Sequence, residues 1–204
     1  MLSFYVASLL LQGAACLSMF AEQPRKHIIG TELSQFNFTP YNLPDMYVEC
    51  HKDEPADPMF NCSIKFDWND PNANNSACVC ESRWLWDGFT MAPGPQNSYS
   101  TDYFVCNTEN KEYFQFKFNT MTGISRFNLI LSHTFLDTKC VYGAYKMFGV
   151  FNYLTILCRD FPSPERANLF GQANFTLRAE KRTNTSMIYV IPRPQKVMIV
   201  GVTI

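Results

Sequence analysis

Residues 62–68 read Cys62-Ser63-Ile64-Lys65-Phe66-Asp67-Trp68, and residues 78–86 read Cys78-Val79-Cys80-Glu81-Ser82-Arg83-Trp84-Leu85-Trp86. In the first run, large apolar side chains alternate with Ser, Lys and Asp. A period of two is the mark of a strand with one buried face and one wet face. In the second run, Cys78, Cys80, Ser82, Trp84 and Trp86 share one face, and Val79, Glu81, Arg83 and Leu85 the other. Pro71 and the polar cluster at 72–76 supply turn residues between the runs, so together they predict a β-hairpin.

The same alternation continues outward. Phe114, Phe116 and Phe118 alternate with Tyr113, Gln115 and Lys117, and Thr122-Gly123 separates them from Phe127, Leu129, Leu131, His133 and Phe135. Residues 145–158 form a longer apolar segment, with Gly149 placed to bend or bulge a strand. Phe175, Leu177 and Ala179 alternate with Asn174, Thr176, Arg178 and Glu180. Gly88, Pro93, Gly94 and Pro95 mark residues 87–100 as a loop, and Pro162 and Pro164 mark a shorter one. No long amphipathic helix is predicted. About seven to nine strands joined by turn-rich connections predict an all-β fold, an antiparallel barrel or alternatively a β-sandwich.

Composition narrows the class. The 204 residues are 47% hydrophobic, 15% aromatic and 17% charged, against an ordinary charged share of about 25%. That excludes a disordered chain. Seventeen basic and eighteen acidic residues leave a charge of −1, so no nucleic-acid surface is expected.

The N-terminus predicts export. Residues 1–18 carry no charge, with an apolar run at 2–11 followed by Gly13, Ala14 and Ala15. This reads as a signal peptide cleaved after Cys16 or Ser18. Residues 19–45, broken by Pro24, Gly30, Pro40 and Pro44, read as an exposed lead-in, and 46–204 as a single β-barrel domain. Asn61, Asn74, Asn174 and Asn184 are glycosylation candidates, with Asn37 poorer because Pro40 follows its Thr39. The apolar end at 197–204 is too short to cross a bilayer, so no integral membrane span is expected and the protein reads as secreted and extracellular.

Outside the signal, Cys50, Cys62, Cys78, Cys80, Cys106, Cys140 and Cys158 are disulfide candidates in an oxidising compartment. Their odd number leaves open a free thiol or a disulfide-linked or non-covalent dimer. His27, His51 and His133 are scattered and Cys78-x-Cys80 has no answering pair, so no metal is expected. No nucleophile, metal-helix or phosphate-loop motif occurs, so neither an enzyme nor a cofactor is expected. His133, on an apolar face, reads as a hydrogen-bonded core or pocket histidine. Rings could fill a core or wall a ligand cavity; Trp68, Trp84, Trp86, Phe116 and Phe118 are the candidate ligand-binding residues. Glu81 is a weaker candidate for pairing with an amine, since it shares a face with Arg83.

From about residue 36 to residue 180, the order of features resembles the lipocalin family. The entry to a first strand is Leu43-Pro44-Asp45-Met46-Tyr47, Cys62 sits where a second strand opens, and Trp84-Leu85-Trp86-Asp87-Gly88 closes a third. Phe151-Asn152-Tyr153-Leu154-Thr155-Ile156-Leu157-Cys158 looks like the seventh-strand motif and Phe175-Thr176-Leu177-Arg178-Ala179 like the eighth. The first-strand Gly-x-Trp is replaced by Asp45-Met46-Tyr47, and Pro192 and Pro194 interrupt the region of the usual packing helix. In these departures the chain is similar to divergent arthropod lipocalins, including tick salivary amine- or lipid-binding ones. The resemblance implies an eight-stranded up-and-down barrel, with Arg178 stacked on Tyr47 at its base. It further implies a carrier or scavenger of a small hydrophobic or amphipathic ligand, a lipid or a biogenic amine. The alternative is a glycosylated β-sandwich that recognises another protein and has no ligand cavity.

Overall fold

A computed structural model describes residues 27–29, 38–73, 75–106, 113–136 and 166–203. Among them the alternating runs become long antiparallel strands, and no helix occurs. The predicted hairpin is β4 (Phe60–Asp70) and β5 (Ser76–Trp86), paired from Phe60↔Trp86 to Asp70↔Ser76. Its turn places Asn75 at φ 57°, a left-handed conformation that Asn tolerates. Asp70 Oδ1 accepts hydrogen bonds from the backbone N–H and the side-chain amide of Asn72, each 2.8 Å. Here a polar cluster in the sequence becomes a closed turn.

β4 also pairs along its other edge, with β2 (Tyr41–Leu43) and β3 (Met46–His51). The expected lead-in therefore ends earlier than residue 45, because Tyr41 and Leu43 are buried strand residues. Pro44 has no N–H to give a ladder, so it interrupts this edge without ending it. On the far side of β3 lies β11 (Ser186–Val190), followed by β10 (Arg178–Arg182), while β12 (Gln195–Val197) pairs β2. The other sheet runs β1 (His27–Ile29), β13 (Ile199–Thr203), β9 (Arg166–Thr176), β8 (Arg126–Leu136), β7 (Tyr113–Gly123) and β6 (Phe104–Val105). The chain passes between sheets at Leu177, between β9 and β10, and at Met198, between β12 and β13. The strands curl into a half-barrel.

Inward positions are filled largely by rings that touch one another. Trp68 meets Tyr41 edge-on at 5.0 Å and Phe114 at 4.8 Å, and Phe66 meets Phe116 at 5.0 Å. Phe118 continues the column to Trp84 (5.5 Å), Tyr99 (5.3 Å) and Phe127 (5.5 Å). Edge-to-face pairs of this kind contribute about 0.5–1.5 kcal/mol each beyond their buried area.

Two disulfides form among the described residues, Cys50–Cys62 across β3 and β4 and Cys80–Cys106 from β5 to the end of β6. Cys78 is a free, half-buried thiol. Cys140, Cys158, Asn37, Asn74, the signal segment 1–18 and the motif at 151–158 lie outside the described residues. Arg178 does not stack on Tyr47: its side chain is solvent-exposed and lies 3.7 Å from Glu180. β10 is the edge strand of its sheet and all of its side chains are exposed, so the inward place expected for Ala179 is not found; a bulge follows between Ala179 and Lys181.

Gly171 marks a close approach between β9, β2 and β12. A Cβ at this position would lie 2.8 Å from the Tyr41 ring and 2.9 Å from Val197, while the Tyr41 hydroxyl donates to the Leu169 carbonyl at 2.7 Å. A methyl group there must push the ring off this bond or bend β9. Gly171→Ala is expected to lower stability by about 1–3 kcal/mol, read as a lower urea midpoint; an unchanged midpoint would show that β9 and Tyr41 are not tightly packed.

Candidate functional site

The connections β3–β4, β5–β6, β7–β8 and β10–β11 supply the walls of a cleft of about 670 Å3, within the usual size of small-molecule sites. Its apolar lining comes from Phe60, Trp86, Met91, Ile124, Met187 and Tyr189. Phe60 and Trp86 begin and end the hairpin partners β4 and β5, and their rings lie 5.8 Å apart. The strand pairing thus places two rings side by side at one end of the fold. Phe89 stands at the same rim and is 85% exposed.

Three cations line this cleft: Lys52, Arg126 and Arg182. Lys52 donates to the Asp57 carbonyl at 2.6 Å and lies over the Phe60 ring at 4.3 Å. The Arg126 and Arg182 residues are exposed, and among the described residues neither has an acidic partner. The one lining carboxylate, Asp87, is already engaged. It accepts the Thr90 hydroxyl (2.6 Å) and the backbone N–H groups of Thr90 (2.7 Å) and Phe89 (2.8 Å). These bonds, the Thr90 hydroxyl first, hold its carboxyl below the usual carboxylate range. The charge left available at the rim is positive.

The loop after β5 is built rather than loose. Trp86 Nε1 donates to the Thr90 carbonyl (2.8 Å), as does Asn97 Nδ2 (2.9 Å), and the Asp87 N–H donates to the Gln96 carbonyl (2.8 Å). On the opposite wall, the Leu177 N–H bonds the Ser125 carbonyl (2.8 Å), tying the β7–β8 turn to the point where the chain changes sheets.

Of the sequence-predicted site residues, Trp86 lines the cleft. Trp68, Phe116 and Phe118 stand deeper, in the ring column, and Trp84 packs on Phe118. The buried Nε1 atoms of Trp68 and Trp84 and the Ser82 hydroxyl have no partner among the described residues, so polar groups face the interior. Glu81 points outward and pairs with Arg83 at 2.7 Å. At the other end of the fold His133 is fully buried, Nδ1 2.7 Å from Asp70 Oδ2 and its ring 3.7 Å from that of Phe114. It is a hydrogen-bonded core histidine. Lys52, Arg126 and Arg182 were not legible as a site, because they lie in three separate turns and no periodicity links them.

No protein-family model matches the chain, and no curated protein matches it.

The Asp87 bonds generate a pH expectation. A carboxyl whose folded pKa is depressed contributes stability fully above its unfolded value of roughly 3.9, and loses it as pH falls through the depressed folded value. Protection of the Phe89 and Thr90 amides should therefore fall several-fold in acid. In Asp87→Asn protection should be low already at neutral pH. Equal protection in the two proteins at neutral pH would show that Asp87 does not hold the loop.

Proposed function

We propose that this chain is an exported, lipocalin-like carrier or scavenger that takes an amphipathic small molecule through the cleft, apolar body inward and anionic head at the rim. The observation that carries this reading is the cleft itself: rings and methionines inside, Arg126 and Arg182 free at the edge, and the single carboxylate occupied by its own loop. An amine would meet two uncompensated guanidinium groups, whereas a carboxylate or a sulfate matches their fork geometry.

The strand order supports the barrel part of the proposal. β2 with β3, β9 with β10, and β11 with β12 and β13 each act as one interrupted stave. Counted so, successive staves pair along the chain from β2–β3 through β4 and β5, and from β6 through β7 and β8 to β9–β10. The last stave pairs both with β9–β10 and with the first. Between β5 and β6 the link is the Cys80–Cys106 disulfide. That neighbour order supports reading the fold as an up-and-down barrel of eight staves, with β1 as an added strand on β13. Export is supported by the two disulfides and by the exposure of Asn61, Asn174 and Asn184, which leaves room for glycans. No helix of the described residues is long and apolar enough to cross a membrane.

Titration with a long-chain carboxylate and with the alkylamine of equal length, followed by Trp fluorescence, tests the reading. The carboxylate should saturate with at least about tenfold tighter affinity, a difference of about 1.4 kcal/mol. The Arg126→Ala/Arg182→Ala pair should remove most of that preference without changing thermal stability. Tighter binding of the amine would overturn the head-group assignment, and no response to carboxylates, sterols or amines would overturn the carrier reading.

A further inference from the structure

Three sulfur atoms meet where the strand ladder is interrupted. β5 is hydrogen-bonded to β4 and β6 to β7, and among the described residues no ladder joins β5 to β6. The Cys80–Cys106 disulfide is the covalent tie across this seam. Cys78 precedes Cys80 by two residues on the same strand, so both side chains leave the same face. Cys78 Sγ lies 3.7 Å from Cys80 Sγ, and all three sulfurs lie within 4.8 Å of one another. A sulfur–sulfur bond is about 2 Å long, so joining Cys78 to Cys106 requires a closure of at most about 3 Å, within the reach of side-chain rotation and a small shift of β6.

We propose that Cys106 is shared by two partners, the Cys78 thiol exchanging with the Cys80–Cys106 disulfide so that the seam is a covalent latch with two positions. Cys78, as thiolate, attacks Cys106 Sγ. The Cys78–Cys106 bond forms as the Cys80–Cys106 bond breaks, and Cys80 leaves as a thiolate that takes up the proton Cys78 gave away. One disulfide and one thiol are present before and after, so no oxidant or reductant is consumed. Attack on Cys80 is disfavoured: a Cys78–Cys80 bridge would span two residues of extended strand, roughly 6.6 Å between Cα atoms, near the upper limit for a disulfide.

The environment makes the latch slow. Burial, and after it the Asp67 carboxylate, push the Cys78 thiol up to about 12, so little thiolate is present near neutrality and each position persists once formed. The latch also reaches the cleft. The connection from Asp87 onward walls the cleft and ends at β6, so moving the tether from Cys80 to Cys78 draws it toward the β4–β5 turn and away from the rim. This exchange does not depend on what the cleft binds.

The test uses the folded, oxidised protein and its Cys78→Ser and Cys80→Ser variants. After incubation under native conditions each sample is unfolded in acid, where exchange stops; free thiols are labelled there and the disulfides mapped by mass. The wild type should contain two species, Cys80–Cys106 with Cys78 labelled and Cys78–Cys106 with Cys80 labelled, the minor one at least about one part in a hundred. Cys78→Ser should show no label at Cys80, and Cys80→Ser should carry a Cys78–Cys106 bond. Wild-type label confined to Cys78, or label at Cys80 that persists in Cys78→Ser, would overturn the proposal. If Cys80→Ser fails to fold, the comparison of wild type with Cys78→Ser decides alone.

Discussion

The two sheets meet through Trp68. Its ring takes Tyr41 on one side, within its own sheet, and Phe114 on the other, from the facing sheet. Phe66 repeats the arrangement with Phe116 one inward position along β4. Everything else is placed relative to this column. β4 can carry two successive inward rings only because its alternation is unbroken over eleven residues, and β7 answers with Phe114, Phe116 and Phe118 at the same spacing. A slip of one residue in either strand would turn each of these rings outward, so burial pins the register.

The ends of the fold differ in chemistry because the column ends differently. At the β4–β5 turn it closes on the buried Asp70–His133 pair, joined through His133 Nδ1 and Asp70 Oδ2, while Asp70 Oδ1 accepts the Asn72 backbone N–H. At the opposite end the rings thin out to Phe60 and Trp86, and four connections leave a concave surface edged with cations. Desolvating an unpaired charge is costly, so Arg126 and Arg182 belong at this solvent-facing rim. That asymmetry, more than the size of the cleft, distinguishes the two ends.

Much of the architecture was legible in the residues. Strands β4, β5, β7 and β8 follow the alternation, and their inward faces are the predicted ones, down to His133 as a bonded core histidine. The lead-in was misjudged because Pro44 reads as a breaker, whereas a proline can sit at a pause in a paired edge. The alternation turns Ala179 inward, but β10 is the edge strand of its sheet and every side chain on it is exposed; nothing in the local pattern encodes an edge. Arg178 was assigned to Tyr47 by resemblance; in the fold it sits in water beside Glu180.

Local chemistry, read residue by residue, determined the strand class, the inner and outer faces and the hairpin, because side-chain polarity with a period of two needs no knowledge of distant neighbours. Which cysteines bond, which rings touch, and that Lys52, Arg126 and Arg182 share one rim were decided only by tertiary structure. These are contacts between residues far apart in the chain, set by strand order and register. Trp86 shows both levels at once: the alternation turned it inward, but only its position opposite Phe60, at the end of the hairpin, made it part of a cleft.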